Sequence, residues 1–200
     1  MVDMWVYKTP GIPDELFAQS DKVPGPTKEE IRVLTISKAR LREGSQVVDV
    51  GCGTGGLTVE AALQVTPKGK VFAIDEDEEA VKLTKDNVAK FDVQSAVQVI
   101  HGKAPEVMSN LPKVDAVLIG GSSSLREVIR ASYEKLKENG RLVINAILLE
   151  TGYKALDEIR KLKFKDTDVI LVFVAKGREV NAGTMMLARN PITIISATKA

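Results

Sequence analysis

Residues 47–58, V-V-D-V-G-C-G-T-G-G-L-T, constrain the chain more than any other stretch. Val47, Val48 and Val50 read as the end of a buried β-strand, and beyond the glycines Leu57, Ala61, Ala62 and Val65 recur at helical spacing. A strand that enters a helix through a glycine-rich turn is the building unit of a parallel α/β sheet. Gly51, Gly53, Gly55 and Gly56 carry no side chain, so backbone N–H groups can approach a ligand closely and the turn can adopt positive φ. The stretch therefore reads as a nucleotide-cradling loop for an adenosine-containing ligand. Gly51, Gly53 and Gly56 also satisfy the G-x-G-x-x-G spacing of dinucleotide enzymes, so the glycines alone leave an NAD-dependent oxidoreductase open.

Length and composition narrow the field. A chain of 200 residues suits one domain, expected as an N-terminal arm (1–26), a cofactor-binding core (27–150) and a C-terminal helix with a closing hairpin (151–200). With 28 basic and 27 acidic residues the net charge is +1, which gives no electrostatic case for nucleic-acid or membrane-surface partners. The single Cys52 and single His101 leave neither a disulfide framework nor a Cys/His metal constellation, and no metal site is expected. No apolar run reaches membrane-spanning length and no signal-peptide pattern opens the chain, so the expected location is cytoplasmic.

Along the chain, Pro10, Gly11, Pro13, Pro24 and Gly25 block regular structure in the arm, while Trp5, Tyr7, Leu16 and Phe17 are apolar enough to pack. Thr27 and Glu30 have capping-box spacing, predicting a helix that starts at Thr27. A second strand ends at Asp75, about 20 residues past the glycine loop, where such folds bind ribose hydroxyls. Glu76, Asp77, Glu78 and Glu79 read as a helix N-terminus favoured by the helix dipole rather than as a cation site. A third strand follows over 97–100, and His101 beyond it reads as structural; a fourth over 114–119 opens into Gly120, Gly121 and Ser122. The next helix is expected to stop at Asn139–Gly140, with a fifth strand over 142–149, a helix over 152–162, and strands over 169–175 and 192–197. This alternation predicts a Rossmann-like α/β fold, a doubly wound, mostly parallel sheet with one late antiparallel strand. Substrate is expected at the carboxyl edge of that sheet, beside Gly120, Gly121 and Ser122.

Asp49, two residues before the first glycine, together with the unbroken G-C-G-T-G, resembles the first motif of class I S-adenosylmethionine methyltransferases, in which the acidic residue helps hold the amino-acid end of the cofactor. The resemblance sharpens along the chain: V-P-G-P-T at 23–27, A-I-D at 73–75, G-G-S at 120–122, A-I-L-L-E-T at 146–151, G-T-M-M at 183–186 and R-N-P at 189–191. Together these segments are similar to the decarboxylating cobalt-precorrin-6B C15-methyltransferases of cobalamin biosynthesis. The resemblance implies methyl transfer from S-adenosylmethionine to C15 of a corrin precursor with loss of CO2 from the C12 acetate. It also implies cofactor positions at Thr27, Asp49, Gly51, Cys52, Gly53, Thr54, Gly55, Asp75 and Ala104, and a homotetramer. Where the family pattern has Gly-Asp-Ala-Pro, this chain has Gly102-Lys103-Ala104-Pro105, so contact with the adenine is expected from backbone groups.

Methyl transfer from a sulfonium needs alignment more than acid–base chemistry, and the chain shows no Ser/His/Asp pattern. The tetrapyrrole substrate is a polycarboxylate, which makes Lys176, Arg178 and Arg189 candidate partners for its acetates and propionates. Glu150, expected at the carboxyl end of strand five, is the candidate proton donor after decarboxylation. Competing readings are a methyltransferase of RNA or protein, an NAD-dependent oxidoreductase, and a non-catalytic binding module. The first lacks an Asn/Asp-Pro-Pro-Tyr/Phe segment after strand four.

Overall fold

The structure is a computed structural model that describes residues 5–200; the first four residues of the arm lie outside it. Parallel strands β1 (Gln46–Val50), β2 (Lys70–Asp75), β3 (Val97–His101), β4 (Val114–Ile119) and β5 (Leu136–Ala146) are joined to β6 (Lys165–Val172) and β9 (Ile192–Thr198) in one sheet of order β3-β2-β1-β4-β5-β9-β6. β9 runs antiparallel to both of its neighbours. A hairpin of β7 (Ala175–Val180) and β8 (Gly183–Ala188) forms a separate two-stranded sheet whose residues are all exposed. The doubly wound sheet with a late antiparallel strand is as the sequence predicts.

Alternation along the strands builds two cores. Val47, Val71, Ala116, Leu118 and Val143 face helices α1 (Glu29–Ala39), α2 (Gly56–Val65) and α3 (Glu78–Lys90). Val48, Ile74, Val117, Ile119 and Ile144 face α4 (Leu125–Lys135) and α5 (Leu149–Lys161). The order reverses at β1, whose neighbours are β2 on one side and β4 on the other. The crevice at that switch point lies at the carboxyl ends of the strands. No helix among the described residues is long and apolar enough to cross a membrane.

Several boundaries differ from expectation. α1 begins two residues beyond Thr27, with Lys28 at its N-cap and no side-chain cap bond. Its free N–H groups are served from the arm, because Asp14 Oδ1 accepts the Glu29 N–H at 2.9 Å, while Glu30 turns toward Arg189 instead of back to Thr27. α4 ends at Lys135, and Leu136 already pairs with Val114; Asn139 does take the left-handed conformation (φ 62°), but within an irregularity of β5. β5 ends at Ala146, the last residue paired with β9, so Glu150 belongs to the first turn of α5 and not to the strand end. β6 starts and stops earlier than predicted; of the residues expected at its end, Phe173 and Val174 lie between strands and Ala175 opens the hairpin. Asp77 caps α3 by accepting the N–H groups of Glu79 and Ala80, which accounts for the acidic run in helical terms.

Candidate functional site

β1 and α2 meet in the glycine loop. Gly51 (φ 70°) and Gly53 (φ 56°) take conformations that disfavour side chains, and a Cβ on Gly53 would meet nothing within 4 Å, which leaves its face open to a ligand. Gly55 (φ 80°) is the N-cap of α2. The loop is held from three sides. Asp75 Oδ2, at the end of β2, accepts the Gly53 N–H at 2.9 Å, Thr84 Oγ1 donates to the Gly53 carbonyl at 2.9 Å, and Asn87 Nδ2 donates to the Thr54 carbonyl at 2.8 Å. Asn87 also exchanges hydrogen bonds with both backbone groups of Ala18, so one buried side chain fastens the arm to the loop.

Above the loop lies a cavity of about 370 Å³. Its lining contains every sequence-predicted cofactor residue except Gly55, which turns the backbone and packs on Thr84. Thr27, Asp49, Gly51, Cys52, Gly53, Thr54, Asp75 and Ala104 are therefore brought together from four separate segments. Gly120, Gly121 and Ser122 close the far side. His101 stays out of the lining, exposed, with Nε2 3.1 Å from the Glu76 carbonyl.

Asp49 is fully buried. Its Oδ2 accepts the Thr58 hydroxyl at 2.6 Å, and its Oδ1 has no partner among the described residues. Burial pushes its carboxyl up to about 6, opposed by the Thr58 hydrogen bond and assisted by the negative charge of Asp75. Burial also pushes the Cys52 thiol far up, with Asp49 adding to the effect, so Cys52 is a neutral wall rather than a nucleophile.

A second cavity of about 540 Å³ shares Pro26, Thr27 and Gly120 with the first and extends toward the C-terminal hairpin. Of the three predicted substrate cations only Arg189 lines it. Lys176 is paired with Glu29 at 3.0 Å and Glu30 at 3.6 Å, and Arg178 sits on the exposed hairpin opposite Met185. Glu150 is exposed and lines neither cavity. Lys28 and Asn145, which do line the second, carry no sequence signal beyond their place next to Thr27 and at a strand end.

The floor of the arm is a buried ionic cluster invisible in the sequence. Arg32, completely buried on α1, donates from Nε to Glu60 at 2.8 Å and from Nη1 to Asp14 at 2.7 Å, and its guanidinium also reaches the carbonyls of Ile12 and Thr27. Glu60 in turn accepts the N–H groups of Gly11 and Ile12. The guanidinium lies over the Phe17 ring at 4.7 Å. Through the Thr27 carbonyl, these bonds tie the end of the arm to the rim of the first cavity.

Comparison with known proteins decides the family. The pattern described as the precorrin methyltransferase domain matches residues 15–199. The chain belongs to that family. It is 51% identical, over 96% of its length and 99% of the relative's, to a probable cobalt-precorrin-6B C(15)-methyltransferase (decarboxylating) of Sulfurisphaera tokodaii. It is 47% identical, over 98% of both chains, to the protein of the same description in Saccharolobus solfataricus. A solved structure of precorrin 8W decarboxylase from Methanobacterium thermoautotrophicum superposes with a TM-score of 0.89 at 40% identity, over 93% of this chain and 98% of that one. The class I methyltransferase fold expected for the family is thus the fold observed.

Proposed function

We propose that this precorrin methyltransferase uses S-adenosylmethionine to methylate C15 of cobalt-precorrin-6B, or of its metal-free counterpart, with loss of CO2 from the C12 acetate, in cobalamin biosynthesis. The observation that carries the cofactor assignment is Asp49, a buried carboxyl at the cavity wall with one oxygen unpartnered and an affinity for protons raised to about 6. Such a group is poorly satisfied alone and well satisfied by a cationic amino group. The amino-acid end of S-adenosylmethionine carries one. Substrate and reaction follow the names of the relatives above.

Within this reading, Asp49 takes the amino-acid end, with the backbone of Gly51, Cys52, Gly53 and Thr54 beside it and Thr27 at the rim. Asp75 takes the ribose hydroxyls; each of its oxygens accepts one backbone N–H, from Gly53 and from Asp77, and retains a further lone pair. The backbone at Ala104 meets the adenine, with Lys103 beside it in the lining. The bound cofactor supplies an electrophilic methyl group on its sulfonium. The chain contributes alignment, an effect worth about 7–11 kcal/mol in well-oriented systems. Gly120, Gly121 and Ser122 border the side from which the tetrapyrrole approaches.

The reading extends to a homotetramer in the cytoplasm. Association is supported by apolar side chains left exposed on the hairpin, among them Val180, Met185, Met186 and Leu187, and by Ile147, Leu148 and Leu149 at the start of α5.

Calorimetric titration with S-adenosylhomocysteine, and with NAD in parallel, tests the cofactor. Binding of the first and not the second is expected. Methyl incorporation and CO2 release from cobalt-precorrin-6B then test the reaction; preference for NAD would overturn the reading.

A further inference from the structure

We infer that the second cavity is a carboxylate-receiving subsite, in which the outer edge of the Arg189 guanidinium is the donor. The inference rests on the proposed polycarboxylated tetrapyrrole substrate and names where one of its acid side chains is held.

The cavity adjoins the cofactor cavity through Pro26, Thr27 and Gly120, so a molecule seated in it abuts the methyl-transfer site. Its walls are largely apolar, with Ile31, Ile147, Val174, Ala188 and Ile192, which suits the face or edge of a macrocycle. Among the described residues its lining includes Lys28 and Arg189 and no acidic side chain.

Arg189 is held at one end only. Nη1 donates to Glu30 Oε2 at 3.2 Å and lies 3.5 Å from Asp14 Oδ2, whereas Nε and Nη2 bond to no described residue. A guanidinium has five N–H donors. With Nη1 engaged, the Nε–Nη2 edge remains, and that edge matches the two oxygens of a carboxylate. Glu30 and Asp14 are thus positioning residues that fix the plane of the guanidinium. The Arg189 N–H donates to the Val174 carbonyl at 2.9 Å and anchors the backbone where the hairpin returns to the sheet.

Asn145 borders the cavity at the sheet edge. It follows Ile144, which pairs with Ile119, and so stands level with Gly120 at the carboxyl edge. The Thr35 hydroxyl donates its one proton to the Ile31 carbonyl at 2.7 Å and lies 3.1 Å from the Asn145 amide, which fixes the plane of that amide. Lys176 and Arg178 contribute no edge to this cavity.

The full-length protein can be titrated with an octacarboxylic porphyrin and, separately, with its octamethyl ester, following the shift of the Soret band, while S-adenosylhomocysteine affinity is measured on the same samples. Wild type is expected to bind the acid at least tenfold more tightly than the ester. Arg189→Gln is expected to lose that preference. Glu30→Gln removes the charge but keeps an oxygen that can accept from Nη1, and is expected to weaken acid binding less than Arg189→Gln does. Equal affinity for acid and ester, wild-type binding by Arg189→Gln, or equal losses in Glu30→Gln and Arg189→Gln would each overturn the subsite. A protein that binds S-adenosylhomocysteine but ignores the acid also overturns it and leaves the methyltransferase reading intact; loss of S-adenosylhomocysteine binding in wild type would overturn that reading instead.

Discussion

A Cβ built on Gly51 would stand 2.4 Å from the carbonyl oxygen of Gly121, so the loops that follow β1 and β4 meet backbone to backbone. Gly51 also sits at φ 70°. Gly51→Ala therefore adds a left-handed strain of about 1–3 kcal/mol to a steric overlap that only separation of the loops can relieve. The variant is expected to melt several degrees below wild type and to bind S-adenosylhomocysteine at least tenfold more weakly. An unchanged melting temperature would show that the two loops do not touch in solution.

Asp49 predicts opposite effects on stability and on binding. Its folded-state carboxyl is raised from 3.8 to about 6, so the native protein binds more protons than the unfolded chain between these values, and stability falls as pH rises through that window. Above about pH 6 the buried charge costs about 3 kcal/mol. Asp49→Asn is expected to be more stable than wild type at pH 8, with the gain shrinking toward pH 4, while losing most affinity for S-adenosylhomocysteine. In wild type that affinity is expected to fall below pH 6, because a cationic ligand end must expel the proton. Thermal melts and titrations at the two pH values check both halves.

Glu60 holds three donors at once, the N–H groups of Gly11 and Ile12 and the Nε of Arg32. Removing one member of a buried ionic cluster strands the others, typically at about 3–5 kcal/mol. Glu60→Ala is expected to destabilise the whole domain by about that amount in urea unfolding and to expose the arm to protease. A variant that unfolds at the wild-type midpoint would mean that the arm is not seated by this cluster.

Glu150 lies in the first turn of α5, exposed and away from both cavities. A general acid must come within hydrogen-bond reach of the atom it protonates. Glu150→Gln is accordingly expected to release CO2 at the wild-type rate. A tenfold drop with unchanged melting temperature would restore Glu150 as the proton donor.

What could be read without coordinates was local or periodic. The valines of β1, the glycines that follow and the apolar spacing of α2 each express a neighbour-to-neighbour rule, and the same holds for Asp75 at the end of β2. The failures are equally physical. Thr27 and Glu30 have capping-box spacing, but Asp14, fifteen residues before Glu29, takes the helix N–H instead. The continuing apolar run predicts a fifth strand to Leu149, whereas pairing with β9 stops at Ala146 and leaves Ile147 and Leu148 exposed. Lys176 looked free as a cation and is occupied by Glu29 and Glu30.

By itself, the sequence determined the doubly wound sheet, its late antiparallel strand and the glycine loop between β1 and α2, because hydrophobic period and glycine conformational freedom act over a few residues. Only the tertiary structure decided which charges are free and which are paired, and which polar atoms lack partners. Arg32 with Glu60, Arg189 with Asp14, and Thr35 with Asn145 are separated by 28, 175 and 110 residues. Ionic and hydrogen-bond energies depend on distance in space and on burial, and neither is written in the spacing of residues along a chain.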